Sequence, residues 1–225
     1  MQTASDSAIW KLIAKTAELR TSQLGGQIDL QNSLRGLHKL TYCGTAIEGS
    51  VLGVATGEAS VGEGTSVVEA FVRGDDLVAT YRVAGEEAFS LQVYWTVTSY
   101  ENRVVVIDTL LSLETPLLES FPKVIVKSEL PSVEVLQPDE GREVLILRSV
   151  DNDWSYAEMA HPAEPGDLRI DEKGVIQRSL GGAFLEKGVV RRLRLRGVFL
   201  PRKNDLQLAS ECLAELVAEA PPLTA

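Results

Sequence analysis

The chain has little of what metal chemistry and covalent cross-linking require. Its only histidines are His38 and His161, and its only cysteines are Cys43 and Cys212. Neither imidazole has a His-x-x-x-His or cysteine partner beside it, so the ligand spacing of a dedicated zinc site is missing. No metal and no cofactor is expected. The cysteines lie near opposite ends and form no Cys-x-x-Cys pattern. That usage fits free thiols in a reduced, cytoplasmic compartment, and a bridge would need the fold to bring the two together.

Long apolar runs are lacking as well. The longest purely aliphatic stretches are about as short as Val104 to Ile107, against roughly 20 apolar residues for a spanning helix. Asp6, Lys11, Lys15, Glu18 and Arg20 interrupt the N-terminal region, which leaves no h-region of a signal peptide. Positive charge is in deficit, with a formal net charge of −10. A phosphate-binding surface needs a basic footprint, so neither nucleic acid nor a membrane is an expected partner.

Nucleotide and nucleophile motifs each fail at one residue. Gly57 to Gly62 has Walker-type spacing, but Glu63 stands where the lysine would reach the phosphates. Gly62-Glu63-Gly64 begins a dinucleotide fingerprint that ends on Val67 instead of glycine. Ser60 has no glycine two residues before it, so it is not a nucleophile elbow.

What the chain does have is strand pattern. Phe89, Leu91, Val93, Trp95 and Val97 alternate with Ser90, Gln92, Tyr94, Thr96 and Thr98, which sends one set into a core and the other outward. Val67 to Val72 and Leu77 to Val83 flank Arg73-Gly74-Asp75-Asp76 as a hairpin. Further strands are expected at 103–113, 123–130, 132–136, 143–150, 168–170, 175–178 and 189–200. The glycines from Gly44 to Gly64 suit bulges and tight hairpins.

A helix is predicted near each end. Ser5 or Asp6 would cap the first, with Ile9, Leu12, Ile13 and Ala17 as its apolar face, ending before Gly25. Asn204 would cap the second with Gln207 as box partner; its stripe is Leu206, Ala209, Leu213, Leu216 and Val217, and Pro221-Pro222 ends it. The fold class is therefore mainly β: an antiparallel β-sandwich, or a supersandwich-like relative of one, with flanking N- and C-terminal helices. Residues 1–225 read as one domain. A two-part α+β arrangement divided near Pro138 is the alternative.

Two groupings carry candidate chemistry. Arg192, Arg194 and Arg196 alternate along one face of the last strand. They could hold a carboxylate or phosphate through their forked donors, pair with acidic residues on neighbouring strands, or meet an acidic surface in a homodimer. The second grouping is Asp151-Asn152-Asp153-Trp154-Ser155-Tyr156 with His161 beyond it, within one long irregular connection from 151 to 167. Trp154 and Tyr156 would offer rings to a sugar while the carboxylates accept its hydroxyls. As a calcium loop it fails, because Tyr156 occupies the glycine position.

The sequence thus favours a non-enzymatic binding or scaffold domain for a polar sugar-like ligand or an organic anion. The rival is a carbohydrate-active enzyme, epimerase or hydrolase, using His161 with Asp151 or Asp153 and an arginine. A third reading is an oligomerising interaction protein.

Overall fold

The computed structural model describes residues 9–56, 65–86, 88–131, 133–136, 144–164, 166–171 and 174–219. The strands of the first half are β1 (Ile9–Ile13), β2 (Thr16–Arg20), β3 (Leu24–Asp29), β4 (Leu37–Tyr42), β5 (Thr45–Thr56), β6 (Thr65–Arg73), β7 (Asp76–Val83), β8 (Phe89–Ser99) and β9 (Val105–Glu114). Those of the second half are β10 (Glu119–Ser120), β11 (Lys123–Glu129), β12 (Val133–Leu136), β13 (Val144–Ser149), β14 (Trp154–Ala160), β15 (Asp167–Ile170), β16 (Ile176–Gly181), β17 (Leu185–Glu186) and β18 (Val190–Pro201). One helix, α1 (Asp205–Ala218), follows.

The fold is a mainly antiparallel β-sandwich with a C-terminal helix. One eight-stranded sheet has the order β1-β2-β3-β4-β5-β11-β16-β15, and the other β12-β13-β14-β18-β9-β8-β7-β6. A separate ribbon joins β10 to β17. Period-two patterning explains how the sheets face each other. Along β8 every second residue is buried, and Phe89, Leu91, Val93, Trp95 and Val97 enter the core between the sheets. Each such aliphatic or aromatic side chain contributes about 1.5–3 kcal/mol on burial.

A smaller apolar layer lies outside the second sheet. Val104, Val106, Val144, Ile146, Ala157, Met159, Val198 and Leu200 present their side chains to Ala209, Cys212 and Leu216 of α1. The strand β14 is therefore covered on both faces, and all seven of its residues are buried. Cys212 is buried beneath the helix and Cys43 is half-buried elsewhere; both are free thiols.

One polar cluster sits inside the main core. Glu158 on β14 and Arg178 on β16 are completely buried, with Arg178 Nε 3.9 Å from Glu158 Oε1. The Ser128 hydroxyl of β11 donates to Glu158 Oε2 at 2.6 Å and accepts the Leu52 amide at 3.0 Å. Burial pushes the Glu158 carboxyl up, while Ser128, Arg178 and Tyr156 act to lower it. The cluster ties the two sheets in a fixed register, because a half-made set of buried polar contacts is costly.

Three local expectations need correction. The N-terminal segment is the hairpin β1–β2, not a helix: Ile13 pairs with Thr16 around Ala14-Lys15, and Ala14 has a φ of +51°. Its deciding pattern is Ala17 and Leu19, both buried, between the less buried Thr16, Glu18 and Arg20. The helical spacing of Ile9, Leu12, Ile13 and Ala17 was coincidental, and Leu12 and Ile13 are exposed. The proposed caps Ser5 and Asp6 lie outside the described residues.

The 151–167 connection contains a full strand, β14. Its Tyr-Ala-Glu-Met run lacks alternation because both faces are covered, so period two gives no signal there. The third correction concerns α1. Asn204 is left-handed (φ 65°) and makes no side-chain cap; Asp205 Oδ1 accepts the Leu206 amide instead, and Gln207 bonds Glu211. Leu206 and Val217, placed in the stripe by the sequence, are exposed.

The glycine-rich reading holds over the described part, where Gly44 (φ 84°) turns the β4–β5 hairpin. The phosphate-loop comparisons at 57–64, Pro138 and Pro221-Pro222 fall outside the described residues. Among the described residues no helix is long and apolar enough to cross a membrane, and no group of three or more His, Cys, Asp or Glu could hold a metal ion.

Candidate functional site

Three turns meet at one end of the sandwich. The β4–β5 hairpin brings Tyr42 and Thr45, the β8–β9 turn brings Arg103, and the β13–β14 turn brings Asp151, Asn152 and Asp153, with Trp154 opening β14. They enclose a cavity of about 380 Å³, within the size range of small-ligand sites.

The turns hold one another in place. The Tyr42 hydroxyl donates to the Arg103 carbonyl, and the Gln23 amide donates to the Tyr100 carbonyl at 2.7 Å. Arg103 adopts a φ of +65°, an uncommon conformation for a non-glycine residue. Its Nε donates to Cys43 Sγ at 3.3 Å, and its guanidinium lies 5.8 Å from the Tyr42 ring centroid. On the other side, Ser149 Oγ accepts from both the backbone and the side-chain amide of Asn152 at 3.2 Å. Arg202 donates its amide to the Asp153 carbonyl at 3.0 Å and its guanidinium to the Ser149 carbonyl at 2.6 Å.

Below the cavity is an aromatic cluster. Phe199 stacks on Tyr42 at 5.5 Å between centroids, meets Trp154 edge-on at 6.4 Å and lies 5.2 Å from Tyr156. Tyr42 is 1% exposed and Trp154 5% exposed, so their rings form the floor of the cavity and not an open stacking platform. Desolvation drives the Tyr42 phenol well above its ordinary range, which keeps it a neutral donor. The hydrogen bond to Cys43 raises the Arg103 guanidinium, with a smaller contribution from the Asp153 carboxylate. Exposed carboxylates and an amide at the mouth, one guanidinium and a hydroxyl thus surround an apolar floor.

The other sequence-selected residues lie apart from this cavity. Tyr156 is fully buried, its hydroxyl 3.4 Å from Glu158 Oε2. His161 follows the opposite end of β14, roughly 25 Å from Asp153 at the rise of a strand. The fold therefore does not assemble His161 with Asp151 or Asp153. It places His161 near Glu164, whose carboxyl burial raises and the charges of Arg191, His161 and Arg194 lower.

The arginine stripe turns toward the helix side of the second sheet. Arg196, 4% exposed at its side chain, donates to both carboxylate oxygens of Asp108 at 2.7 and 3.0 Å, to Glu219 at 2.9 Å and to the Cys212 carbonyl at 3.1 Å. Arg194 pairs with Glu219, and Arg192 is also engaged. For Arg196 the sequence alternative of pairing with an acidic residue on a neighbouring strand is found, in Asp108 of β9, whereas the Glu219 partner of Arg194 lies at the end of α1.

No protein-family sequence model matches the chain, and no curated protein matches it in sequence. Solved structures do match in shape. A protein assigned as a kojibiose phosphorylase, from the human microbiome, superposes with a TM-score of 0.54 at 8% identity, over 92% of this chain and 32% of that one. A protein assigned as an aldose 1-epimerase, from Klebsiella pneumoniae, gives 0.50 at 7% identity, over 92% of this chain and 84% of that one. At such identities the likeness shows the fold alone. The chain spans about a third of the phosphorylase.

Sequence reading missed Tyr42, Thr45 and Arg103. Gly44 signalled their hairpin and Glu101-Asn102 their turn, but nothing in the chain order brings residues 42, 103 and 151 together.

Proposed function

We propose that this protein binds a neutral, hydroxyl-rich, sugar-like ligand in the cavity between Tyr42, Arg103 and the Asp151–Trp154 turn. The observation that carries this reading is the composition of the cavity: Asp151, Asp153 and Asn152 accept hydroxyl hydrogens while Arg103 and Thr45 donate, over an aromatic floor. Two carboxylates against one guanidinium disfavour an anion and suit a polyol. The sugar enzymes named among the shape matches support the ligand class at the level of fold. The ligand is held without turnover, in a reducing, cytoplasmic setting that suits two free thiols.

Isothermal titration with a panel of neutral mono- and disaccharides tests the reading. At least one saccharide binds saturably, and Arg103→Gln and Asp153→Asn each weaken it about tenfold, the effect of losing a hydrogen bond to a charged group. A panel without saturable binding, or variants that bind as tightly as the parent, would overturn it. Accelerated interconversion of sugar anomers, followed by polarimetry, would move the assignment to epimerase chemistry.

A further inference from the structure

A larger cavity, about 640 Å³, lies at the other end of the second sheet. It is independent of the first, since β8 runs from Phe89 in this cavity to Ser99 near Arg103, and β9 returns from Val105 to Glu114. Val83, Phe89 and Pro116 give it an apolar floor, and Arg82, Lys187 and Glu114 stand around the opening.

Register places these charges. Arg82 pairs with Ser90, and Ser90 with Glu114, so Arg82 and Glu114 sit on the outer face two strands apart, about 10 Å between backbones, while Val83 and Phe89 point to the inner face and share the cavity with them around the strand ends. Lys187 enters from the β17–β18 turn. Among the described residues, neither Arg82 nor Lys187 has a side-chain ion pair or hydrogen bond. Two uncommitted cations therefore flank an apolar floor in a chain whose net charge is −10. By contrast Arg148 and Arg196 are each bound to carboxylates.

We infer that this cavity is a second binding site, for a small organic monocarboxylate with an apolar body. The floor takes the alkyl or aryl part, which gains by leaving water, and the carboxylate lies between Arg82 and Lys187. Glu114 sets the charge preference. Two cations and one carboxylate leave a net charge of +1, which a monoanion neutralises; a phosphate dianion leaves one charge uncompensated and costs more to desolvate.

The test is an amide-resolved NMR titration with phenylacetate, phenylacetamide and phenyl phosphate as probes. Phenylacetate produces saturable shifts at Ala84, Phe89 and Gly188 and binds at least fivefold tighter than the neutral amide and the phosphate ester. Arg82→Gln and Lys187→Gln each weaken it about fivefold to tenfold, whereas Arg103→Gln, in the other cavity, leaves it unchanged. Both altered side chains are exposed, so the variants keep the spectrum of the folded protein. Equal binding of the amide, tighter binding of the phosphate ester, unchanged affinity in both charge variants, or shifts confined to other regions would overturn the assignment.

Discussion

Truncating Asp205 to alanine probes how α1 is fixed to the sandwich. The side chain is 3% exposed and accepts four hydrogen bonds. Arg148 Nε and Nη2 donate at 2.8 Å, the Ser155 hydroxyl at 2.7 Å and the Leu206 amide at 2.8 Å. Removing one partner of a buried ion pair costs about 3–5 kcal/mol, chiefly through the charge left behind. Arg148 retains 23% side-chain exposure, so water partly solvates its guanidinium and the expected loss lies near the lower end, about 3 kcal/mol.

In a chain of this length that loss lowers Tm by about 6–12 °C. Urea denaturation checks it: the midpoint falls while the slope is unchanged. The pH dependence adds an independent readout. Burial alone would raise the Asp205 carboxyl, but Arg148 and Ser155 outweigh it and hold the group below its ordinary 3.8. The contribution is therefore complete above about pH 3.8 and is lost as pH falls through the lower folded-state value. The gap between parent and Asp205→Ala narrows over that window. A variant within about 0.5 kcal/mol of the parent at pH 7, the scatter of ordinary surface changes, would refute the anchoring role.

The interior pair gives a contrasting prediction. Arg178→Leu leaves the Glu158 carboxylate without its cation and costs about 3 kcal/mol, while adding Glu158→Leu recovers most of it; a double variant as unstable as the single one would contradict this. His38 is buried, with Nδ1 3.1 Å from the Gly36 carbonyl, and desolvation lowers its pKa from 6.5 despite that contact. Its stabilising effect is full above about pH 6.5 and fades as pH falls below it, because the unfolded chain binds the proton first. A His38→Leu variant should show a shallower loss of stability between pH 7 and pH 5, and an unchanged slope would count against the assignment.

Legibility in the sequence followed the solvent. Strands with one wet face along most of their length, β6 to β9, alternate visibly, and so does the first half of β18, whose residues 195–200 are buried on both faces. The strand β14 lies between the main core and α1, so both of its faces are apolar or internally bonded, and its Glu158 answers to Arg178 on a strand of the other sheet. Nothing local encodes that partner. In β1 and β2 short apolar spacing fitted a helix by chance, and the alternation of Ala17 and Leu19 with the left-handed Ala14 marks the hairpin instead. The site was half legible: the Asp151–Trp154 turn stood out by composition, whereas Arg103 joins it through the strand order of the second sheet and Tyr42 through the meeting of both sheets. Arg194 and Arg196, conspicuous in the sequence, serve Asp108 and the end of α1.

The cavity between Tyr42, Arg103 and the Asp151–Trp154 turn is tested most directly by amide-resolved NMR during titration with a neutral saccharide. Binding in this cavity gives saturable shifts confined to Thr45, Arg103 and residues 151–154, all abolished together in an Arg103→Gln, Asp153→Asn double variant. Saturable shifts that map elsewhere, or that survive in the double variant, would contradict it.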